Sequence, residues 1–261
     1  MVLQSFQVDA FTDRIFSGNP ASVVFLEERL PDSLLMSIAR ENSVPETAFL
    51  LEEDNMYSLR WFTPDFEIDL CGHATLASAH VLFSWYKFKG EELLFNTRSG
   101  LLTVKREGIG YAMEFPLREA KDAILPVEIY DALNIKPREV YKARDFLLVY
   151  SKREEIEMIE VDRTIFDEIN IDPGGVIVTA PDVDFDFVSR FFTPQATILE
   201  DPVTGSAHCT LAPYWAKRLK KNNLRAKQLS GRGGEIECRV GAESVILWGK
   251  AVIYSRSELY I

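Results

Sequence analysis

The pattern of apolar and polar positions predicts short strands interrupted by a few helices. In the first half, short apolar or alternating runs lie between clusters of glycine, proline and asparagine, which is typical of strands joined by turns. Helical spacing of apolar residues predicts a helix over 31–40, ending ahead of Pro45 because a residue before a proline is disfavoured in a helix. The predicted strands lie near 3–11, 21–26, 47–51, 57–62, 92–97, 101–106 and 110–115.

The second half has the same pattern after a charged connector at 118–122. Short helices are predicted near 127–133 and 162–169. The glycine-rich stretch at 231–234 precedes a strand and not a helix, which indicates a hairpin turn and not a phosphate-binding loop. The predicted strands lie near 144–150, 175–180, 185–193, 226–230, 234–240 and 244–255.

Two predicted helices are apolar on nearly every side. The first runs over about 72–86 and carries no charge before Lys87, and the second runs over about 205–219. A helix of this kind must be enclosed on all its faces. Each half of the chain is therefore expected to be a curved sheet wrapped around one buried helix, which is an α+β fold.

A degenerate repeat connects the two halves. Its two copies precede the two enclosed helices, and a repeat of this length indicates a duplicated unit. We expect two domains, 1–118 and 119–255, with a C-terminal strand at 256–261 able to complete the first. The matching residues are Arg60, Phe62, Thr63, Pro64, Gly72 and Ala74 in the first copy, and Arg190, Phe192, Thr193, Pro194, Gly205 and Ala207 in the second.

Each copy of the repeat ends in a glycine at a helix start, Gly72 or Gly205. Unpaired N–H groups and the positive end of the helix dipole make such a start a site for an anion. If the two halves face each other, both starts open onto one cleft that suits a substrate carboxylate or an enolate-like oxygen. The alternative is that both are ordinary helix starts of a structural duplication.

Composition excludes several classes of partner. The chain of 261 residues has 40 acidic and 29 basic residues, a net charge of −11, which argues against nucleic acid and anionic membranes because both attract positive charge. The N-terminus lacks a signal-peptide pattern, and no apolar run approaches the roughly 18 residues of a membrane span. We expect a cytoplasmic protein whose three cysteines, Cys71, Cys209 and Cys238, are free thiols.

Four side chains are candidates for chemistry. Glu46 follows a proline turn and enters an apolar strand, and a carboxyl group between apolar walls suits a residue that takes and returns a proton. His73, next to Gly72, could donate to a bound oxygen or assist proton transfer. Ser206, next to Gly205, could bind a carboxylate, and Asp201 could orient a substrate ammonium or His73. The alternatives are a strand-edge glutamate, a structural histidine and, since Asp201 precedes Pro202, a helix cap.

The cysteines suggest a competing chemistry. Paired thiols on opposite faces of an α-carbon would make a cofactor-independent racemase. Cys71 precedes Gly72, but Thr204 occupies the matching place before Gly205, and Cys209 lies inside the helix as a small buried residue would. A metal site of His73, His208 and a cysteine lacks a recognised ligand spacing, so no metal is predicted.

The sequence resembles the phenazine-biosynthesis PhzF-like proteins, which have the diaminopimelate epimerase-like fold. Four segments carry the resemblance, which extends over essentially the whole chain. They are Val8-Asp-Ala-Phe with Gly18-Asn-Pro20, Asn42-Ser-Val-Pro-Glu-Thr-Ala-Phe49, Phe62-Thr-Pro with Asp69-Leu-Cys-Gly-His-Ala-Thr75, and Glu200-Asp-Pro-Val-Thr-Gly-Ser-Ala-His208.

The resemblance implies two similar domains, each a β-barrel-like sheet around a central helix, with the active site between them and a homodimeric assembly. It implies isomerase chemistry on a small carboxylate or amino-acid-like molecule without a cofactor. Glu46 would move the proton, and the family's histidine, aspartate and glycine-serine positions would fall on His73, Asp201, Gly205 and Ser206.

One position departs from the family pattern. Pro45 stands where the phenazine enzymes have a serine before the glutamate. The acid–base role of Glu46 is unaffected, but a hydroxyl that would hold the phenazine precursor is absent. A racemase or epimerase that uses Cys71, and a non-catalytic binding or scaffold protein on the same fold, remain alternatives.

Overall fold

The computed structural model describes residues 1–53, 56–171 and 174–261, and it shows an α+β protein with a mixed sheet. The chain divides into two compact units. Unit 1 comprises Met1–Glu114 and Trp248–Ile261, and unit 2 comprises Phe115–Leu247. Within the described residues, no helix combines the length and apolar character that crossing a membrane requires.

The helices and strands follow one another in chain order. In the first half they are β1 (Val2–Ala10), β2 (Asn19–Leu26), α1 (Asp32–Asn42), β3 (Glu46–Glu53), β4 (Met56–Phe62), β5 (Glu67–Ile68), α2 (Gly72–Ser84), β6 (Glu92–Thr97), β7 (Gly100–Glu107) and β8 (Gly110–Pro116). In the second half they are β9 (Lys121–Asp122), α3 (Val127–Ala132), β10 (Glu139–Lys142), β11 (Phe146–Val149), α4 (Arg153–Glu157), α5 (Arg163–Phe166), β12 (Val176–Pro181), β13 (Phe187–Phe192), α6 (Gly205–Leu219), β14 (Asn223–Gln228), β15 (Gly234–Val240), β16 (Ser244–Gly249) and β17 (Ala251–Tyr260).

The two units have the same order of strand pairing. In unit 1, β1–β2, β3–β4 and β6–β7 are antiparallel, whereas β2–β3 and β4–β6 are parallel. In unit 2, β10–β11, β12–β13 and β14–β15 are antiparallel, whereas β11–β12 and β13–β14 are parallel. In both units the second parallel connection contains the longest helix. Matching topology supports the duplication that the repeat indicates.

The terminal strand β17 belongs to unit 1. It pairs with β1 along its whole length, from Val2 opposite Tyr260 to Ala10 opposite Ala251, with one irregularity between Gln7 and Val8. The returning segment is thus longer than the predicted 256–261. The single strand expected at 244–255 is divided into β16 and β17.

A repeated ion pair lies at the end of the aromatic strand in each copy. Arg60 donates from Nε and Nη2 to the two oxygens of Glu67, at 2.7 and 2.8 Å. Arg190 makes the same bidentate contact with Glu200, at 2.7 and 2.9 Å. Such a geometry fixes both partners. It holds the loop between strand and helix at the same place in each unit.

The helix α2 is enclosed, as its composition predicts. Eleven of its 13 residues are buried, and it packs against β1, β2, β3 and β17. Its hydroxyl groups do not need water, because Thr75 and Ser78 donate to carbonyl groups one turn earlier at 2.6 and 2.7 Å. Small and apolar side chains therefore meet the sheet on several faces of the helix.

The helix α6 contains a proline that interrupts its hydrogen bonds. Pro213 has no N–H group, so the carbonyl of Cys209 lacks the donor that an α-helix normally supplies four residues later. The backbone N–H of Arg118 donates to this carbonyl instead, at 2.9 Å. The connector at the start of unit 2 thus completes the hydrogen bonding of the helix.

Candidate active site

The first group of candidate residues lies in unit 1, where a turn delivers Glu46 to the start of β3. Helix α1 ends at Asn42, and Ser43 takes a left-handed conformation with φ of 51°. The amide of Asn42 donates to Ser22 and Thr47, at 3.1 and 3.2 Å. These bonds fix the turn between helix and strand, and with it the backbone position of Glu46.

Glu46 contacts the imidazole of His73. The Nε2 atom of His73 lies 2.9 Å from Oε2 of Glu46, and the two side chains are only 4% and 16% exposed. Gly72 and His73 are the first two residues of α2, and the preceding residue, Cys71, makes no side-chain cap to the helix. The structure thus places Glu46 beside His73, which follows Gly72 at the start of α2.

Asn19 sets the hydrogen position on His73. Its Nδ2 lies 3.1 Å from Nδ1 of the imidazole, and an amide nitrogen can only donate. In the neutral ring, Nδ1 is therefore the acceptor and the hydrogen is on Nε2, the nitrogen nearer to Glu46. The sequence signal for this residue was the Gly18-Asn-Pro20 cluster, which we interpreted only as a turn.

Cys71 is a third member of the group. Its Sγ lies 3.6 Å from Nδ1 of His73. Burial, and then the negative charge of Glu46, raises the pKa of the thiol, so Cys71 is neutral near pH 7. Burial alone would lower the pKa of His73, but its interactions with Cys71 and Glu46 raise that pKa well above the ordinary value. Because the thiol is neutral, we attribute the raised pKa chiefly to the carboxylate of Glu46.

This raised pKa predicts a pH-dependent contribution of His73 to stability. A folded-state pKa above the ordinary value near 6.5 gives stability that is fully present below that value and is lost as pH rises through the folded pKa. We expect the free energy of unfolding of the wild type, minus that of His73→Gln, to be largest below about pH 6.5 and to decrease as pH rises above it. Urea denaturation across this range measures it, and a difference that grows with pH would contradict the assignment.

Three donor atoms of this group lie close enough to suggest a metal site. Single ligand atoms of Glu46, Cys71 and His73 all lie within 4.8 Å of one another. However, His73 turns Nδ1 toward Cys71 and Nε2 toward Glu46, and one ion can bind only one of these nitrogens. The arrangement therefore suits proton transfer better than coordination of a single ion.

The second group of candidate residues lies in unit 2, at the start of α6. Gly205 is the first residue of the helix, and Thr204 before it does not cap the helix with its side chain. The Thr204 hydroxyl instead donates to Oδ2 of Asp201 at 2.5 Å. Ser206 is half-buried and its Oγ lies 3.1 Å from Nη2 of Arg144. The first turn of α6 thus presents backbone N–H groups beside a hydroxyl.

Asp201 is not the cap of this helix, so that structural alternative is wrong. The chain does not become helical at Pro202, because residues 201–204 form a loop that is held by a buried glutamine. Gln228 accepts from the backbone N–H of Thr204 at 2.8 Å and donates to the carbonyl of Asp201 at 2.7 Å. Gln228 and Arg144 were not predicted, since both come from strands or loops distant in sequence.

Three further buried titratable groups have structural roles. Burial lowers the pKa of His208 to about 4, and its Nδ1 lies 2.9 Å from the carbonyl of Thr204. Burial also raises the pKa of Cys209 to about 11, and that of Cys238 as well. All three cysteines are free and buried. Neutral, buried groups of this kind suit packing and not nucleophilic chemistry.

Comparison with known proteins identifies the family. The family model described as phenazine biosynthesis-like protein, PhzC-PhzF, matches residues 8–257. Proteins named uncharacterized isomerase from Pseudomonas aeruginosa and Halalkalibacterium halodurans are 47% and 41% identical over 262 and 266 residues, with 100% of each chain covered. The crystal structure of a PhzF family protein from Enterococcus faecalis has 44% identity, a TM-score of 0.95 and 100% coverage of both chains. The chain therefore belongs to the phenazine biosynthesis-like protein family.

Proposed function

We propose that this protein is a cofactor-independent isomerase that moves a proton on a small carboxylate or amino-acid-like substrate, with Glu46 as the acid–base residue. Relatives named isomerases support the reaction class. The observation that carries the assignment to Glu46 is its contact of 2.9 Å with the buried His73. A largely buried carboxyl group beside a buried imidazole suits a residue that must both take and return a proton.

In the proposed reaction, Glu46 removes a proton from a carbon that a neighbouring carboxylate or imine makes acidic. The imidazole of His73 lies 2.9 Å from the carboxylate of Glu46 and keeps it in place, so the same oxygen can return the proton to a second carbon. Backbone N–H groups near Gly72 and Gly205 stabilise the developing negative charge, an effect worth roughly 3 kcal/mol per donor. Ser206 binds the substrate carboxylate, and Asp201 orients a substrate ammonium.

Solvent isotope exchange tests the proposal. The protein is incubated in D₂O with a panel of cyclic and acyclic amino acids, and carbon-bound deuterium is detected by NMR. We expect incorporation by the wild type and none by Glu46→Gln. Binding without exchange across the panel would favour the alternative of a non-catalytic binding protein.

A racemase that depends on Cys71 is the second enzyme reading, and the structure argues against it. The thiol is 5% exposed and its pKa is raised, so little thiolate exists near neutral pH. We expect Cys71→Ala to keep turnover within about tenfold of wild type, compared with losses of about 10²- to 10⁴-fold for a residue that transfers the proton. Initial rates of exchange measure this. A loss as large as that of Glu46→Gln would restore the thiol mechanism.

Several finer expectations stay predictions. They are the barrel-like form of each domain, the shared cleft, the homodimer and the cytoplasmic location. Light scattering of the purified chain tests the dimer directly.

A further inference from the structure

A buried ion pair in unit 2 holds an arginine against Ser206. The Nε of Arg144 lies 3.1 and 3.3 Å from the two oxygens of Asp145, and Nη2 lies 3.1 Å from Oδ1. The same Nη2 donates to Oγ of Ser206 at 3.1 Å. The arginine side chain is 29% exposed, so the guanidinium is anchored on one side and accessible on the other.

Asp145 is itself fixed. Its side chain is 0% exposed, and its Oδ1 accepts from the backbone N–H of Gly175 at 3.0 Å. A carboxylate with these partners has little freedom to move, so it sets the plane of the Arg144 guanidinium. The position of Nη2 beside Ser206 is therefore determined by the surrounding backbone and not by a flexible side chain.

This contact gives the Ser206 hydroxyl a direction. Arginine has donors and no acceptor, so Oγ of Ser206 must accept from Arg144. The hydrogen of the hydroxyl then points away from the guanidinium and is available as a donor. A ligand group that accepts hydrogen bonds and carries negative charge would gain from both the hydroxyl and the nearby positive charge.

Two arginines supply positive charge near Ser206. Arg118 and Arg144 both act on the thiol of Cys209 through their positive charges, and Cys209 lies one turn after Ser206 on α6. The Nη1 of Arg118 is buried and has no hydrogen-bond partner among the described residues. These two cations lie near the start of the helix, where the carboxylates of Asp145 and Asp201 also lie.

We propose that Arg144 is a positioning residue that orients the Ser206 hydroxyl and makes this subsite select a substrate carboxylate over an uncharged group. This inference rests on the proposed function, in which Ser206 binds the substrate. Arg144 is not among the site residues that the sequence predicts, and it has one role in this subsite. That role is to set the affinity for the negative charge, while the proton transfer depends on Glu46.

Kinetics with a substrate found by isotope exchange provide the first test. We expect Arg144→Gln to raise KM by roughly 10- to 100-fold with kcat within about threefold, because a hydrogen bond to a charged group is affected. Arg144→Lys, which keeps the charge, should recover part of the affinity. In a Ser206→Ala background, Arg144→Gln should have a smaller effect than in the wild type, since the hydroxyl that it orients is absent.

Arg153→Gln is the matched control. The Arg153 side chain is 30% exposed and pairs with the nearly buried Asp182 at 3.5 Å, much as Arg144 pairs with Asp145. It has no contact with Ser206 among the described residues, so KM should stay at the wild-type value. Equal effects of Arg144→Gln with and without the Ser206 hydroxyl, or a loss confined to kcat, would overturn the positioning role.

A binding experiment separates this inference from the proposed function. The full chain, labelled with ¹⁵N, is titrated with benzoate and with benzamide, which has nearly the same shape without the charge. We expect benzoate to shift the amide signals of Ser206 and Ala207 in the wild type, and to do so weakly in Arg144→Gln, while benzamide has little effect on either. Equal responses to the two probes, equal responses of the two proteins, or no response to benzoate would refute the role of Arg144. Failure of isotope exchange alone would refute only the isomerase reaction.

Discussion

Replacement of Glu46 by glutamine is expected to lower turnover by at least about 10³-fold, because general acid–base groups contribute about 10²- to 10⁴-fold and this one acts in both proton transfers. Glutamine has the same shape as glutamate and can keep the contact of 2.9 Å with Nε2 of His73. It cannot take up a proton from carbon near neutral pH. KM should change little, so the loss should appear in kcat. Initial rates of deuterium incorporation measure it.

Glu52→Gln serves as the control for this experiment. Glu52 lies on the same strand, β3, but is exposed to solvent. The substitution removes one negative charge from the same element without touching His73, so turnover should stay at the wild-type level. If Glu46→Gln retained normal turnover, the carboxylate would not be the proton carrier and the proposed function would fail.

Replacement of Leu76 by alanine is expected to lower the free energy of unfolding by about 3 kcal/mol, within the range of about 2–5 kcal/mol for buried leucines. Leu76 lies in α2 and is 0% exposed, with its Cδ2 directed at Gly249, where even an added Cβ would approach to 3.3 Å. The smaller side chain leaves a cavity between the helix and the surrounding strands. Urea denaturation followed by circular dichroism measures the loss.

Leu101→Ala is the matched leucine control. Leu101 is 59% exposed on β7, so its truncation should change the free energy of unfolding by less than about 0.5 kcal/mol. Equal costs at the two positions would mean that α2 is not enclosed, which would remove the rigid support of the Gly72 and His73 positions.

Sequence reasoning was most successful where a pattern is local. The two enclosed helices were predicted from their lack of charge, and the observed bounds, Gly72–Ser84 and Gly205–Leu219, differ from the predicted ones only at the end of the first helix. The hairpin at 231–234 joins β14 to β15 in antiparallel pairing, as predicted. In these segments the hydrogen bonds and buried faces come from neighbouring residues, so the sequence contains the relevant information.

Short elements were missed because they contain too few residues to form a pattern. Helix α4 has only five residues and one buried side chain, Ile156, too few for an apolar period. It is stabilised by Glu155, which accepts from the N–H groups of Ser151 and Lys152 at 2.8 and 3.1 Å. Strands β9 and β10 were missed for the same reason, since they have only two and four residues.

The candidate site shows the same limit. Glu46 and His73 were chosen individually, and their contact follows from the packing of β3 beside α2. The partners that define their chemistry, such as Asn19 for His73 and Arg144 for Ser206, come from other elements. No periodicity or motif indicates which asparagine or arginine will reach a given side chain, so these residues required the three-dimensional structure.

The proline in α6 has a consequence for how unit 2 forms. A peptide of this helix alone would lack one backbone hydrogen bond, because Pro213 supplies no N–H donor for the carbonyl of Cys209. This carbonyl gains a donor only when the backbone N–H of Arg118, much earlier in the chain, binds to it. Closing so long a loop costs entropy before the bond repays it, so we expect the middle of α6 to become protected from hydrogen exchange late in folding. Protection of α6 would then show that unit 2 has assembled, and the helix would not belong to the folding nucleus.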